Sequence, residues 1–570
     1  MPTIEDFTKE QKIAYFSMEI GLTDDIPTFS GGLGILAGDT IKSACDLNLP
    51  YVAVTLIYHK GYFRQEVDEA GNQKEQPVIW DPSKIMTKSS RKVSVTIERR
   101  TVYIQPWIYF VASLRGHYLP VIFLDTNLPE NAEQDRNLTD FLYGFDVTYR
   151  IKQEMILGIG GARALKALGF NIRKYHMNEG HASFLTLELL HETKKDIEAV
   201  WDESLVWNFD AVKEKCVFTT HTPVEAGHDK FKYELYNQVM GDYFPEKVMR
   251  RLAGDKELNV TMLALNLTNY VNGVAKKHGE VSQDMFPGYK INAITNGVHS
   301  YTWTCERFKR LFDKYIPGWA NEPETFVRVN AIPSAELWST HQDAKKELID
   351  LVNQKHNANM DYDTLTIGFA RRFATYKRAT LLFKDLARLE KICANKVQFI
   401  FAGKAHPADN GGKDLIRRIH AEAKRFKGKI KIVFMENYRM ELALKLVSGV
   451  DVWLNTPLRP LEASGTSGMK ATHNGVMNFS VLDGWWIEGH IENVTGWSIG
   501  PAPVELQANS EMDAIDAEDL YNKLEKVVIP TYYNEREKWI QMMKDTIGKN
   551  AYYFNTHRML RRYVTEAYLR

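Results

Sequence analysis

The segment Arg150-Ile-Lys-Gln-Glu-Met-Ile-Leu-Gly-Ile-Gly-Gly-Ala-Arg-Ala-Leu-Lys-Ala-Leu168 has the length and apolar spacing of an amphipathic helix. The short apolar run Lys174-Tyr-His-Met177 follows it after a polar turn. A helix followed by a short buried strand is one step of a βα unit, and successive units build a parallel sheet. We therefore predict an α/β fold.

The same alternation continues on both sides of this segment. Before residue 300, strands are predicted at 12–18, 51–58, 121–124, 217–220 and 291–295. After a charged, helical stretch at 305–352, further strands are predicted at 364–373, 398–403, 429–436 and 450–455. The insert at about 78–118 alternates differently and predicts antiparallel strands. Two α/β domains are therefore expected, with their boundary near residue 300.

Length and charge limit the possible functions. The 570-residue chain exceeds the ~250 to 300 residues at which one hydrophobic core stops growing, so at least two domains are expected. Basic and acidic residues both number 72, which leaves no global charge to recruit nucleic acid or an anionic membrane. The N-terminus lacks a targeting pattern, and no apolar run approaches the ~18 residues that span a bilayer. We expect a cytoplasmic protein in which any anion site is local.

The cysteines give no indication of a metal site. Cys45, Cys216, Cys305 and Cys393 are far apart and lack paired spacing. This pattern suits buried thiols in a reducing compartment. We therefore predict no zinc centre.

A glycine-rich stretch, 461–483, contains a lysine in an unusual place. Lys470 follows a run of small residues that predicts a short helix from a Thr466 cap to a stop at Gly475. Such turns expose main-chain N–H groups to phosphate. A partly desolvated lysine has a lowered pKa and can attack a carbonyl cofactor. Taken alone, the motif also fits a solvated surface turn.

Two other stretches have the composition of anion-binding turns. In 29–39, glycines open a predicted helix, where main-chain N–H groups and the helix dipole attract an anion. In 368–378, a predicted strand ends in the basic residues Arg371, Arg372, Lys377 and Arg378. With Thr375 as N-cap, two of these cations enter the first helical turn, which costs ~0.3 to 1 kcal/mol each. A bound phosphate would resolve that conflict; a packing turn and a solvated basic face are the alternatives.

Histidines follow three predicted strands in the first half of the chain. These are His181, His221 and His299, the last of them just after Asn296. Each alone is typical of a hydrogen-bonded structural histidine. The carboxyl ends of parallel strands meet at one edge, so together they predict a polar wall suited to sugar hydroxyls. Turns at 401–406 and 435–439 follow strands of the second half in the same way.

With these motifs together, the sequence resembles the α-glucan phosphorylases, the glycogen, starch and maltodextrin phosphorylase family that uses pyridoxal 5′-phosphate. The resemblance covers nearly the whole chain and is most specific at Glu462-Ala-Ser-Gly-Thr466 and Met469-Lys470. It implies two Rossmann-like domains facing across a deep cleft, the GT-B arrangement, at 1–298 and 299–548. It also implies a C-terminal helix, 549–570, that returns to the first domain.

The resemblance assigns roles by matching position. Lys470 would form the Schiff base with pyridoxal phosphate, and Arg371 with the turn at Thr466 and Ser467 would hold the cofactor phosphate. The catalytic set would be Lys470, Arg372, Lys377 and His221. The residues that would bind substrate are Gly31, Gly32, Leu33, Glu179, His181, His221, Asn296, Tyr438, Glu462, Ser464 and Gly465.

The implied reaction is retaining phosphorolysis of the terminal non-reducing glucose of an α-1,4-glucan. In the family, the cofactor phosphate acts as proton donor through the substrate phosphate, which then captures the glucosyl group as glucose 1-phosphate. The implied partners are glucan and inorganic phosphate, and the family is usually dimeric. Basic groups would offset the repulsion between two adjacent phosphates.

The sequence departs from the family in two respects. Ser467-Gly468 stands where the common form has glycine and asparagine, which affects the expected contacts to the cofactor phosphate. The chain is also shorter than the animal enzymes, and their segment for phosphorylation and nucleotide control has no counterpart. We therefore expect a constitutively active enzyme.

Three other functions would each explain part of this pattern. A glucan synthase-like, sugar-nucleotide glycosyltransferase would share the fold but would not need a Schiff-base lysine. A glycoside hydrolase would need two carboxylates at a fixed separation, with Glu179 and Glu462 as candidates. A non-catalytic glucan-binding protein would explain the aromatic residues but not the anion-binding groups.

Overall fold

The computed structural model describes residues 2–144, 146–197, 201–502 and 509–569. Its strands, in chain order, are β1 (Gln11–Ser17), β2 (Tyr51–Leu56), β3 (Arg64–Val67), β4 (Gln73–Gln76), β5 (Thr87–Lys88), β6 (Val93–Ile97), β7 (Arg100–Ala112), β8 (Tyr118–Asp125), β9 (Asn171–Asn178), β10 (Cys216–Thr219), β11 (Lys230–Lys232), β12 (Glu257–Asn259), β13 (Tyr270–Gly273), β14 (Ile291–Ala293), β15 (Leu365–Ala370), β16 (Val397–Ala402), β17 (Lys431–Met435), β18 (Val452–Asn455), β19 (Met477–Val481) and β20 (Gly496–Ile499).

Its α-helices are α1 (Gly32–Asp46), α2 (Glu133–Arg136), α3 (Val147–Met155), α4 (Gly161–Ala167), α5 (Leu185–Glu192), α6 (Phe209–Lys215), α7 (Tyr233–Met240), α8 (Glu246–Ala253), α9 (Val260–Asn266), α10 (Lys276–Met285), α11 (Ser300–Trp303), α12 (Glu306–Tyr315), α13 (Ser334–His356), α14 (Leu386–Cys393), α15 (Asn410–Arg425), α16 (Met440–Gly449), α17 (Thr466–Thr472), α18 (Trp486–Gly489), α19 (Asn509–Lys523), α20 (Ile529–Asn534), α21 (Arg536–Asp545) and α22 (Thr556–Tyr563). Within the described ranges, none of them combines the length and hydropathy needed to cross a membrane.

Two large sheets organise these elements. The first has the order β14-β13-β10-β9-β1-β2-β8-β7-β5 and is parallel from β14 to β8. The second, β17-β16-β15-β18-β19-β20, is parallel throughout. The α/β prediction is confirmed. The predicted helix at 150–168 is formed by α3 and α4, which are joined by a π-helical turn at Ile156–Gly160. The insert is antiparallel as predicted, since β5 and β6 pair with β7.

The centre of the first sheet is buried on both faces, since every residue of β2 and all but the first residue of β1 are buried. Successive strand residues point to opposite faces, so neighbours in β1 join different cores. Phe16 packs in the cluster that contains Ile151, whereas Tyr15 packs in the cluster that contains Ile41 and Leu560. Helices α1 and α22 therefore share one face of this sheet.

The C-terminal residues lie against the first sheet. On the shared face, Ser43 of α1 hydrogen-bonds Thr556 of α22, and the Tyr568 hydroxyl hydrogen-bonds His176 Nδ1 at 2.7 Å. We propose that the two sheets mark domains at 1–298 and 299–548, with 549–570 packed on the first.

The hairpin β3–β4 was missed from the sequence, and it joins the two sheets. Gln65 Nε2 donates to the Gly403 carbonyl at 2.8 Å, and Gln73 Nε2 donates to the Ala405 carbonyl at 2.9 Å. In return, the main-chain N–H groups of Ala405 and Asn437 donate to Gln73 and Gln65, both at 2.9 Å. Both glutamines are buried, so this amide contact fixes the hairpin against the ends of β16 and β17.

Candidate active site

Two of the basic residues after β15 converge on one carboxylate. Arg371 Nη2 lies 2.5 Å from Glu462 Oε2, and Lys377 Nζ lies 2.9 and 2.8 Å from the two oxygens of Glu462. All three side chains are only 9% exposed. Burial alone would raise the pKa of Glu462, but the adjacent Arg371 and Lys377 lower it to about 2. The cluster therefore holds two buried cations on one ionised carboxylate.

The predicted helix at Thr375 is wrong. Thr375–Lys377 is a single 3-10 turn, and Arg378 follows it with a left-handed φ of 48°. The guanidinium of Arg378 points away from Glu462 and donates to Asp516 at 2.6 Å. The four basic residues thus do not converge, because a buried aspartate outside the site engages Arg378.

The side chain of Arg372 is exposed, unlike those of Arg371 and Lys377. It lies near the phenols of Tyr62, Tyr143 and Tyr376. Among the described residues we find no carboxylate paired with it. Its positive charge is therefore not neutralised locally, unlike the charges of Arg371 and Lys377.

Lys470 lies on α17, whose N-cap is Gly465 with a left-handed φ of 84°. The predicted Thr466 cap is therefore wrong by one residue, because only glycine adopts that conformation freely. Lys470 is 6% exposed, and its Nζ lies 3.8 Å from the centre of the Trp303 ring. Burial lowers the pKa of Lys470 to about 8, with Asp39 opposing the shift. The predicted desolvated amine is present.

Several buried polar atoms, either near Lys470 or near the Glu462 cluster, lack hydrogen-bond partners. They are Asp39 Oδ1, Arg371 Nε, Ser464 Oγ and Asn478 Oδ1. Buried polar atoms are normally paired, so these unpaired donors and acceptors, together with the desolvated amine of Lys470, fit a polar ligand with a carbonyl and an anionic group. The residues present are thus compatible with pyridoxal phosphate.

The departure at Ser467-Gly468 has a structural reason. A Cβ at Gly468 would lie 2.3 Å from Asn478 Oδ1, so only glycine fits there. Ser467 Oγ accepts a hydrogen bond from Trp453 Nε1 at 3.2 Å. Thr466 begins the helix beside Ser467 at the mouth of this turn.

The glycine loop opens α1 as predicted, with Gly31 as its N-cap. A Cβ at Gly31 or Gly32 would meet no atom within 4 Å, so the start of the helix, including Leu33 in its first turn, faces open space. By contrast, a Cβ at Gly38 would lie 1.8 Å from the Gly21 carbonyl oxygen. The glycines of this stretch therefore serve two purposes: the first two leave space, and Gly38 permits close packing.

His221 and Glu179 form one polar unit after β9 and β10. Glu179 Oε2 accepts the main-chain N–H of His221 at 2.7 Å, and His221 Nε2 hydrogen-bonds Asn178 Oδ1 at 2.6 Å. Burial lowers the pKa of His221 to about 4. The imidazole is neutral near pH 7 and suited to hydrogen bonding with a hydroxyl rather than to carrying charge.

His181 belongs to a second unit. Its Nε2 lies 3.3 Å from Asp229 Oδ2, and ligand-type atoms of His181, Asp229 and Glu154 lie within 4.8 Å of one another. Burial and the nearby Asp229 raise the pKa of Glu154 well above its usual range. The neutral carboxyl of Glu154 can therefore share its proton with Asp229, while Arg150 lies 3.8 Å from the same Asp229 oxygen.

The remaining predicted residues differ in how they are held. Asn296 Oδ1 is buried without a partner, whereas Nε2 of the predicted wall residue His299 hydrogen-bonds Asp46 Oδ2 at 2.8 Å. That pairing gives His299 a structural role. Tyr438 lies near Arg371, and burial raises the pKa of its phenol, so the hydroxyl stays protonated. Among these residues, Asn296 and Tyr438 are left with polar groups suited to a ligand.

Sequence reasoning missed residues that support the site. The ring of Trp303 lies against the amine of Lys470, and its Nε1 donates a hydrogen bond to Asp39 Oδ2 at 2.8 Å. Separately, the Glu19 carboxylate accepts hydrogen bonds from the main-chain N–H groups of Ser30 and Gly31 at 2.6 and 3.2 Å. Glu19 follows β1 directly, which was an available signal, because polar residues at strand ends meet at the ligand edge of a parallel sheet.

Comparison with known proteins identifies the family of this chain. Residues 228–498 match the Phosphorylase family of carbohydrate phosphorylases. A maltodextrin phosphorylase of Thermococcus litoralis is 41% identical over 98% of this chain and 70% of its own length. A glycogen phosphorylase of Aquifex aeolicus is 36% identical over 98% and 86% of the two chains. An uncharacterised protein of Methanocaldococcus jannaschii is 31% identical over 97% and 99%. The chain belongs to the carbohydrate phosphorylase family.

Proposed function

We propose that the protein is an α-1,4-glucan phosphorylase that releases terminal glucose as glucose 1-phosphate and uses pyridoxal phosphate. The observation that carries this proposal is the desolvated Lys470, which lies in the same segment, 461–483, as the Glu462 carboxylate that Arg371 and Lys377 flank. Two buried cations, Arg371 and Lys377, already hold the negatively charged carboxylate of Glu462. The same cations are suited to binding the negative charge of a phosphate. The names of the similar proteins, maltodextrin and glycogen phosphorylase, support the same substrate class.

Lys470 would tether the cofactor through its carbonyl group, and Arg371 with the turn at Thr466 and Ser467 would hold its phosphate. The desolvated amine and the unpaired Arg371 Nε support this assignment. When bound, pyridoxal phosphate supplies a phosphate group that exchanges a proton with the substrate phosphate. The lysine is a tether in this proposal, and the nucleophile in turnover is inorganic phosphate.

The substrate phosphate would bind between Arg372 and the glycine loop at Gly31, Gly32 and Leu33. Arg372 has an uncompensated charge, and the open space at Gly31 and Gly32 allows an anion to approach the start of α1. Lys377 would offset the repulsion between two neighbouring phosphates. The main catalytic contribution of Arg372 and Lys377 would be to stabilise the negative charge of the phosphates in the transition state.

The terminal glucose would bind at the polar wall. Neutral His221 would hydrogen-bond a hydroxyl, with Glu179 fixing its main chain. The unpaired Oδ1 of Asn296 and Oγ of Ser464 would accept or donate further hydrogen bonds. The full sugar-binding set is Glu179, His181, His221, Asn296, Tyr438, Glu462, Ser464 and Gly465.

The proposal is tested by incubating the purified protein, supplied with pyridoxal phosphate, with maltohexaose. Glucose 1-phosphate should form when inorganic phosphate is present and should be undetectable when it is omitted. Release of free glucose at equal rates with and without phosphate would contradict the proposal and indicate a hydrolase. Transfer of glucose from a sugar nucleotide would favour the glycosyltransferase alternative. Dimerisation remains a prediction that sedimentation can test.

Substitutions in the glycine loop should separate binding from folding. Gly32→Ala places a methyl group in the open space, so we expect unchanged or slightly higher stability and a KM for phosphate raised by about tenfold through lost hydrogen bonds. Gly38→Ala is the matched control: its methyl group would clash with the Gly21 carbonyl, so stability should fall instead. Thermal unfolding and phosphate kinetics measure the two effects. An unchanged phosphate KM in Gly32→Ala would argue against phosphate at this loop.

A further inference from the structure

The proposed phosphate loop and the proposed sugar wall are joined by one tyrosine. Tyr143 adopts a left-handed φ of 61°, which non-glycine residues rarely do. Tyr143 contacts groups next to the phosphate loop and groups in the sugar wall. These contacts stabilise its otherwise unfavourable left-handed backbone conformation.

On the phosphate side, Tyr143 acts through Glu19. The Tyr143 hydroxyl donates to Glu19 Oε1 at 2.7 Å. The other oxygen of Glu19 accepts the main-chain N–H groups of Ser30 and Gly31. Glu19 is 2% exposed, and its carboxylate also leaves no room for a side chain at Gly34, where a Cβ would lie 2.6 Å from Oε2. The position of the glycine loop is therefore tied to Glu19.

On the sugar side, the ring of Tyr143 contacts two members of the second polar unit. The guanidinium carbon of Arg150 lies 4.3 Å from the ring centre, a cation–π contact. The ring centres of Tyr143 and His181 are 5.7 Å apart. Arg150 and His181 both approach Asp229 Oδ2, at 3.8 and 3.3 Å. A shift of the Tyr143 ring would therefore displace both groups.

We propose that Tyr143 and Glu19 are positioning residues that couple binding of phosphate at the glycine loop to binding of glucan at His181. This inference rests on the proposed function, since it assigns those two ligands to the two sides. Phosphate bound at the loop would fix Glu19 and hence the Tyr143 ring. The ring in turn orders Arg150 and His181 for the sugar.

The test measures coupling rather than activity alone. Initial rates over a grid of phosphate and maltohexaose concentrations give the factor by which one saturating substrate lowers the KM for the other. We expect a factor of about fivefold or more in the wild type. Tyr143→Phe removes only the hydroxyl contact to Glu19, so the factor should fall to about one, with kcat changed by less than about threefold. Glu19→Gln tests the same link from the loop side and should give the same loss.

Tyr118→Phe is the control, because it removes the same hydroxyl group from a tyrosine on β8 that is 45% exposed. The coupling factor of the Tyr118→Phe protein should match that of the wild type. The proposed coupling would be overturned if the wild-type protein had a coupling factor of one. It would also be overturned if both Tyr143→Phe and Glu19→Gln kept the coupling factor of the wild type. Wild-type protein without phosphate-dependent release of glucose 1-phosphate would instead overturn the proposed function. If Tyr143→Phe fails to fold, as judged by thermal unfolding, Glu19→Gln alone decides.

Discussion

Lys470→Ala protein is expected to lack a near-ultraviolet cofactor chromophore and to lose phosphorolysis by at least about 10³-fold, because an untethered cofactor is not held in the reacting geometry. Borohydride reduction of wild-type protein should attach the pyridoxyl group to Lys470, as read from peptide masses. The physical reason is burial, which lowers the pKa of this amine to about 8 and leaves part of it unprotonated at neutral pH.

Lys404 provides a matched control for that experiment. Burial also lowers its pKa to about 8, but its Nζ donates to the Phe63 carbonyl at 2.8 Å, outside the α17 turn. Lys404→Met protein should therefore keep the chromophore and the label on Lys470. A label on Lys404, or a chromophore retained in Lys470→Ala, would contradict the assignment of the tether.

Glu462→Gln should lower the free energy of unfolding by about 3 to 5 kcal/mol when phosphate is absent, because it leaves two buried cations without a counter-charge. Inorganic phosphate should restore more stability to this variant than it adds to the wild type, since the anion would replace the lost carboxylate. Urea denaturation with and without phosphate measures both effects.

The stabilisation by Glu462 has a definite pH dependence. Its folded-state pKa, about 2, lies below the ordinary value of 4.5, so its contribution is complete above pH 4.5 and is lost as the pH falls towards 2. The stability difference between wild type and Glu462→Gln should therefore shrink on acidification below about pH 4.5.

The control for the Glu462 experiment is an exposed ion pair. Glu322 pairs with Arg561 while 52% exposed, and such pairs contribute about 0 to 1 kcal/mol. Glu322→Gln should be close to wild type and insensitive to phosphate. A Glu462→Gln variant that behaves like this control would show that the buried cluster does not hold the cations together.

Parts of the fold and site followed from local patterns. The apolar strands and the segment at 150–168 were predictable because parallel strands buried on both faces have a distinctive periodicity. Lys470 was identifiable as a candidate because it follows a run of small residues in a predicted tight turn, and the other motifs of the chain favoured a ligand site over a solvated turn. These features depend on neighbours in sequence, which a single sequence records.

The errors came from interactions between distant residues. Arg378 looked like a fourth phosphate ligand until Asp516 was seen to engage it, and nothing near Arg378 in the sequence indicates that partner. Similarly, the strands of the hairpin β3–β4 are polar except for Val67, and the hairpin is stabilised by its contacts to the second sheet. Gly465 rather than Thr466 became the cap of α17 because the preceding loop enters the helix in a left-handed conformation.

The hairpin contact also affects how the enzyme would respond to its surroundings. At this contact the buried, neutral amides of Gln65 and Gln73 lie beside a partly exposed ion pair, in which Lys413 of α15 lies 2.8 Å from Glu75 of β4. Dissolved salt screens exposed charges but has little effect on buried neutral hydrogen bonds. The amide contacts should therefore hold the hairpin against β16 and β17 equally well in dilute buffer and in concentrated phosphate, whereas salt would weaken the Glu75–Lys413 pair.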